Sequence, residues 1–193
     1  STRLIIKGLG LEDYGIYSIL FSVSILFGAI QHALTISTQK FITEATVETN
    51  NYKKNSLFSV CLLIHLTLAI LVLLIALPTN NWVVNDLLSI PTIKIQSAIQ
   101  VYNIAIYIIV TTIIFLPFQS IFFAHERLNT YGVLGIVESL GKLALAFSLS
   151  QFNDRLTSFV FGLFLISFFI NLSYFLLALY RFDIKLTLNI SNE

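Results

Sequence analysis

Charged residues fall along the chain in bursts, and the gaps between the bursts are long and apolar. Residues 14–39 contain no Asp, Glu, Lys or Arg, and neither do 55–85, 95–125 or 156–180. Between Arg127 and Asp154 only Glu138 and Lys142 interrupt. A helix needs about 20 apolar residues to cross the roughly 30 Å hydrocarbon layer of a bilayer. The gaps therefore predict five spans, near 15–36, 55–77, 98–123, 131–151 and 157–180. Strand alternation is absent, and the runs are much longer than the about 10-residue segments of an outer-membrane barrel. The expected fold is an all-α integral membrane protein with five transmembrane helices in an up-and-down bundle. Its connections run 37–54, 78–97, 124–130 and 152–156, followed by a tail over 181–193.

Composition narrows the class further. The chain is 56% hydrophobic and 11% charged, with a mean hydropathy of +0.87, whereas a soluble domain carries about 45–50% apolar and about 25% charged residues. One small soluble core cannot hide that much apolar surface, which argues against a soluble enzyme and excludes a disordered chain. The net charge of +1 leaves no basic footprint, so no nucleic-acid partner is expected. The one cysteine, Cys61, has no mate for a disulfide or a Cys-pair metal site. No catalytic residue, metal or cofactor is expected. The chain has no Met and opens Ser1-Thr2-Arg3, so it is expected to be a piece of a longer protein. Arg3 and Lys7 precede a polar turn over 8–13 instead of a signal-peptide cleavage site.

Orientation follows from the distribution of Lys and Arg. Lys40, Lys53, Lys54, Arg127, Arg181 and Lys185 fall on one side, against Arg3, Lys7, Lys94 and Arg155 on the other. The first side is expected to be cytoplasmic. The stretch 80–95 carries Trp82, Val83, Val84, Leu87, Leu88 and Ile90 among polar residues, a mixture that suits a segment lying at the outer membrane interface.

Polar side chains need partners in hydrocarbon, so their spacing reports which helix face looks inward. The first span has Ser24, Gly28, Gln31 and Thr35, and the second has Cys61, His65 and Ala69. The third has Gln96, Gln100, Asn103, Tyr107 and Thr111, and the fifth has Ser167, Asn171, Tyr174 and Ala178. These stripes predict a bundle with a polar interior, either packed or lining a cavity. His65 reads as a packed, hydrogen-bonded imidazole, and Pro117 predicts a kink in the third span. The fourth span holds Glu138 and Lys142 four residues apart, in the order that favours a helical ion pair. Counting from Tyr131 at about 1.5 Å per residue puts Lys142 about 16 Å along its helix, near the bilayer midplane. Gly132, Gly135, Ser139 and Ala146 share or border that face, leaving room for a neighbour. A charge at such depth marks a functional site or a self-satisfied structural pair. The functional alternative has Lys142 facing a hydrated cavity with Glu138 orienting it.

The residues also resemble a family. Arg3-Leu-Ile-Ile-Lys-Gly-Leu-Gly10 followed by Glu12-Asp13-Tyr14-Gly15-Ile16-Tyr17 resembles the start of bacterial polysaccharide flippases of the multidrug/oligosaccharidyl-lipid/polysaccharide exporter superfamily. Gln39-Lys40-Phe41, Ile90-Pro91, Leu116-Pro117, Ala124-His125-Glu126-Arg127, Glu138 with Lys142-Leu143, and Asp154-Arg155-Leu156 extend the resemblance along the chain. It implies that residues 1–193 form most of the N-terminal six-helix lobe, partnered by a second, C-terminal lobe across a central cavity. It implies residence in the bacterial cytoplasmic (inner) membrane. It implies as substrate a lipid-linked oligosaccharide, carried on undecaprenyl pyrophosphate as an O-antigen or capsule repeat unit and flipped between leaflets by alternating access. Arg3 matches the place of a cavity arginine in related cell-wall precursor flippases. Lys142 and Arg3 would then meet the pyrophosphate, and Gln31, Asn103 and Tyr107 would hydrogen-bond the sugars. A multidrug antiporter of the same superfamily is the alternative, and it needs a free intramembrane carboxylate. The only candidate, Glu138, has Lys142 one turn away. A membrane polymerase or glycosyltransferase would place charged residues on a large outer loop, and 78–97 offers only Asp86 and Lys94. A structural membrane scaffold without transport is a further alternative.

Overall fold

The computed structural model describes residues 2–47, 51–88 and 90–182, with side chains described outside 23–27, 29–30, 46–47 and 51–54. Lys185 and the side chains of Ser24, Lys53 and Lys54, which enter the charge bias and the first stripe, lie outside them. Every regular element among the described residues is helical. The short α1 (Thr2–Leu9) leads into α2 (Leu11–Val47) and α3 (Asn51–Ala76). A single turn, α4 (Asn80–Trp82), and a wider turn over Val83–Leu87 connect to α5 (Ile95–Ala124). Then follow α6 (Leu128–Ser148), extended by one tight turn to Gln151, and α7 (Arg155–Phe182).

Four stretches are long and apolar enough to cross a membrane, namely Asn55–Ala76, Thr92–Ala124, Leu128–Gln151 and Arg155–Phe182. Four of the five expected spans fall in these stretches. The remaining one, 15–36, falls inside α2, and most of its central side chains are outside the described residues.

Two connections differ from expectation. Residues 8–13 are not one turn, because α1 occupies the chain up to Leu9. Gly10, at φ +87°, then ends it by donating its N–H to the Ile6 carbonyl at 2.9 Å. Glycine enters that left-handed conformation without the steric penalty of a Cβ. Likewise, 37–54 is mostly helix rather than loop. Thr38, Ile42 and Ala45 lie one turn apart and are buried, while Lys40 pairs with Glu44 at 3.9 Å on the outer side. Charge spacing marks where a helix leaves an apolar layer, and an amphipathic helix continues past that point.

The fold centres on α5. Fourteen of its thirty residues are buried, because α2, α3 and α7 all pack against it. Only Ala146 of α6 is buried, so α6 lies at the edge of the bundle. The helix α5 runs through the buried Pro117 to Ala124. It closes with Glu126 in the left-handed region (φ 56°), the Arg127 N–H reaching Phe122 O at 2.7 Å and the Glu126 N–H reaching Phe123 O at 3.0 Å. That paired closure reverses the chain within three residues and starts α6 back along α5 and α7.

The core has two halves. At one end Leu9, Ile16 and Leu20 pack with Val101, Ile106, Leu149, Leu156, Phe159 and Val160. There Lys94 Nζ bonds Asp13 Oδ1 at 2.7 Å, joining the starts of α2 and α5, and Arg155 donates to the Gly8 carbonyl at 3.2 Å, joining the start of α7 to the end of α1. A Cβ on Gly8 would come within 2.7 Å of Leu149, which shows how closely α1 approaches the end of α6. At the opposite end the core is aromatic. Phe118 meets Phe175 edge-on with centroids 4.9 Å apart, and Phe122 meets Tyr174 and Phe182 at 5.6 and 5.4 Å. Each such pair contributes about 0.5–1.5 kcal/mol beyond the area it buries. In the stretch 80–95, Val83, Val84 and Ile90 are buried while Trp82 and Leu87 are exposed, an amphipathic division.

Candidate functional site

The polar stripes do not all converge. On α3, Cys61, His65 and Ala69 are buried as expected. His65 Nδ1 lies 2.7 Å from the Cys61 carbonyl, which can only accept, so Nδ1 carries the proton. Nε2 is then free to accept from Thr38 Oγ1 at 3.4 Å across to α2. This is a satisfied packing contact between two helices. The α5 stripe departs from expectation: Gln96, Gln100 and Tyr107 are exposed, because the opposite face of α5 is filled by α2, α3 and α7. Asn103 accepts a bond at 3.1 Å from Asn80 of α4.

The α7 stripe faces inward and meets the charged helix. Ser167, Ile170, Asn171 and Tyr174 of α7, Thr112 and Gln119 of α5, and Tyr131, Gly135 and Glu138 of α6 enclose a chamber of about 210 Å³. Gln119 donates to Asn171 Oδ1 at 2.6 Å, and the Tyr174 hydroxyl donates to the Tyr131 carbonyl at 3.3 Å. Thr112 returns its hydroxyl to the Ile108 carbonyl of its own helix. Glu138 presents the one carboxylate among the lining residues. No Cβ contact restricts Gly135, so the chamber wall is open at that position.

Lys142 stands one turn beyond, with its Nζ 2.6 Å from Glu138 Oε1 and side chains 47% and 32% exposed respectively. The midpoint of Leu128–Gln151 lies between Ser139 and Leu140. Glu138 and Lys142 therefore straddle it, each within about 4 Å at about 1.5 Å per residue. Lys142 itself is displaced toward the α6 C-terminus, since the helix begins at Leu128 instead of near Tyr131. The flanking Val133, Ile136, Val137, Leu140 and Phe147 are exposed, so the pair interrupts a lipid-like surface.

Of the six sequence-expected site residues, the structure brings together only Glu138 and Lys142. Arg3 is exposed on α1, Gln31 lies half-buried on α2 with its carbonyl taken by Thr35, and Asn103 and Tyr107 lie outside the chamber. Gln119 was not anticipated. Its only signal is an amide side chain directly after the run Phe115-Leu116-Pro117-Phe118. Tyr131 and Thr112 carry no signal at all without the helix pairing. Among the described residues, no group of His, Cys, Asp and Glu is placed to hold a metal ion. No protein family, no curated protein and no solved structure matches this chain.

Proposed function

We propose that the chain belongs to a bacterial polysaccharide flippase and forms one wall of its translocation path in the cytoplasmic membrane. In this proposal α2 supplies the fifth crossing over 15–36, a second lobe covers the exposed face of α6, and the cargo is a lipid-linked oligosaccharide. The observation that carries it is the half-exposed Glu138–Lys142 pair straddling the midpoint of an apolar helix, beside a polar chamber. A lone charge there costs about 2.5–3.5 kcal/mol if it faces lipid, so a wet or ligand-bearing surface is the cheaper environment. An ammonium in such a low-dielectric setting attracts a pyrophosphate far more strongly than it does in water. The residue pattern that resembles the flippases supports the same function, and transporter sites commonly lie near the midplane. Glu138, already paired with Lys142, is poorly suited to serve as the free coupling carboxylate of a drug antiporter.

The test is polysaccharide export in the host strain carrying Glu138→Gln with Lys142→Gln at the native locus. The double variant is expected to reach the membrane at normal levels yet leave little polysaccharide at the surface. Lys142→Arg retains the charge and part of the export. Normal surface polysaccharide in the double variant refutes the proposal.

A further inference from the structure

We infer that the chamber between α5, α6 and α7 is a monosaccharide subsite that receives the sugar directly attached to the pyrophosphate. The inference rests on the flippase proposal and names which part of the cargo goes where. Its basis is adjacency. In a glycosyl pyrophosphate the first sugar is joined to the phosphate through a single shared oxygen. A ligand whose anionic group rests on Lys142 therefore carries that sugar no farther than the next turn of α6, where Glu138 opens the chamber wall.

The lining chemistry suits hydroxyl groups and rejects the other parts of such a ligand. A phosphate in the chamber would face the Glu138 carboxylate with no cation among the lining residues. A prenyl chain would offer nothing to Glu138, to Ser167 or to the donors and acceptors that Gln119 and Asn171 retain beyond their mutual bond, and desolvating such a group without a partner costs about 1–3 kcal/mol. A sugar ring satisfies them. After their mutual bond at 2.6 Å, Asn171 retains its amide N–H donors and Gln119 its carbonyl acceptor. Glu138 accepts from a hydroxyl, and Ser167 either donates or accepts. Amide, carboxylate and hydroxyl groups thus face a vicinal diol or an acetamido group from three helices. The chamber, about 210 Å³ and open at Gly135, has room for one sugar ring. Tyr131 and Tyr174, with ring centroids 5.8 Å apart, form the aromatic end of the enclosure.

The experiment measures binding of three methyl glycosides, a hexoside, an N-acetylhexosaminide and a deoxyhexoside, to the protein in lipid nanodiscs by saturation-transfer NMR titration. At least one glycoside is expected to bind the wild type. Its dissociation constant is expected to rise about tenfold or more in Gly135→Leu, whose added side chain enters the open wall, and similarly in Ser167→Leu from the opposite wall. Lys40→Gln, on the exposed side of α2 and outside the chamber lining, is expected to leave glycoside binding within about threefold of wild type, a change under about 1 kcal/mol. Thermal melting of each variant confirms folding, and two filling variants on different helices keep the test intact if one fails to fold. Absence of binding by all three glycosides, or equal binding in the wild type and a folded filling variant, overturns the subsite. Glycoside binding blocked by filling, together with normal export in Glu138→Gln/Lys142→Gln, leaves the subsite standing and removes the flippase function, so the two failures are distinguishable.

Discussion

Replacing Lys142 with Gln removes the ammonium 2.6 Å from Glu138, and the cost of that removal reports what α6 faces. If the pair looks into lipid, the remaining carboxylate is unpaired near the midplane and the variant loses about 2.5–3.5 kcal/mol. If the face is wet, the pair is an i,i+4 contact with side chains 47% and 32% exposed. Such contacts contribute only about 0.3–0.5 kcal/mol. The proposed translocation wall requires the second value. For a chain of this size 1 kcal/mol moves the melting temperature by about 2–4 °C, so Lys142→Gln is expected to shift it by no more than about 2 °C in nanodiscs. Equilibrium unfolding by steric trapping supplies the free energy directly. Destabilisation by about 3 kcal/mol, fully relieved in Glu138→Gln/Lys142→Gln, would show a lipid-facing structural pair and refute the wet-face reasoning.

Further outcomes follow from the packing and from the charge distribution. Gly8→Ala places a Cβ 2.7 Å from Leu149 Cδ1 and 2.9 Å from its Cβ, and the fully buried Leu149 cannot turn away, so thermal unfolding should show a loss of about 1–3 kcal/mol. Gly162→Ala meets only the flexible end of Leu145 and is expected to cost less; a larger loss at Gly162 would contradict this ranking. Glu126→Gly removes a side chain from a left-handed position and is expected to raise stability by up to about 1 kcal/mol, with a lowered melting temperature contradicting the closure described for α5. In a Cys61→Ser background, Asn153→Cys is expected to react with a membrane-impermeant thiol reagent in intact cells while Asn129→Cys stays unlabelled. The reverse pattern would invert the orientation.

The helices were legible in the sequence because an apolar run of over 20 residues with few or no charges has few other uses, and four of the five runs coincide with helices long enough to cross a bilayer. The helix ends were less so. Nothing in the charge pattern distinguishes an amphipathic continuation such as Thr38, Ile42 and Ala45 from a loop, because that distinction depends on what covers the apolar face. His65 was readable as a packed imidazole, since a lone histidine on an apolar face needs only a carbonyl one turn away.

The sequence by itself determined the all-helical class of fold and the Glu138–Lys142 pairing, because helix periodicity alone places residues four apart side by side. Only the tertiary structure decided which polar stripe faces which. With α2, α3 and α7 surrounding α5 and α6 left at the edge, Gln96, Gln100 and Tyr107 turn outward. The α7 stripe instead meets Glu138, joined by Gln119. The rotation of a helix about its own axis is set by the summed packing of all its neighbours. A stripe read on one helix therefore cannot say which partner it will meet.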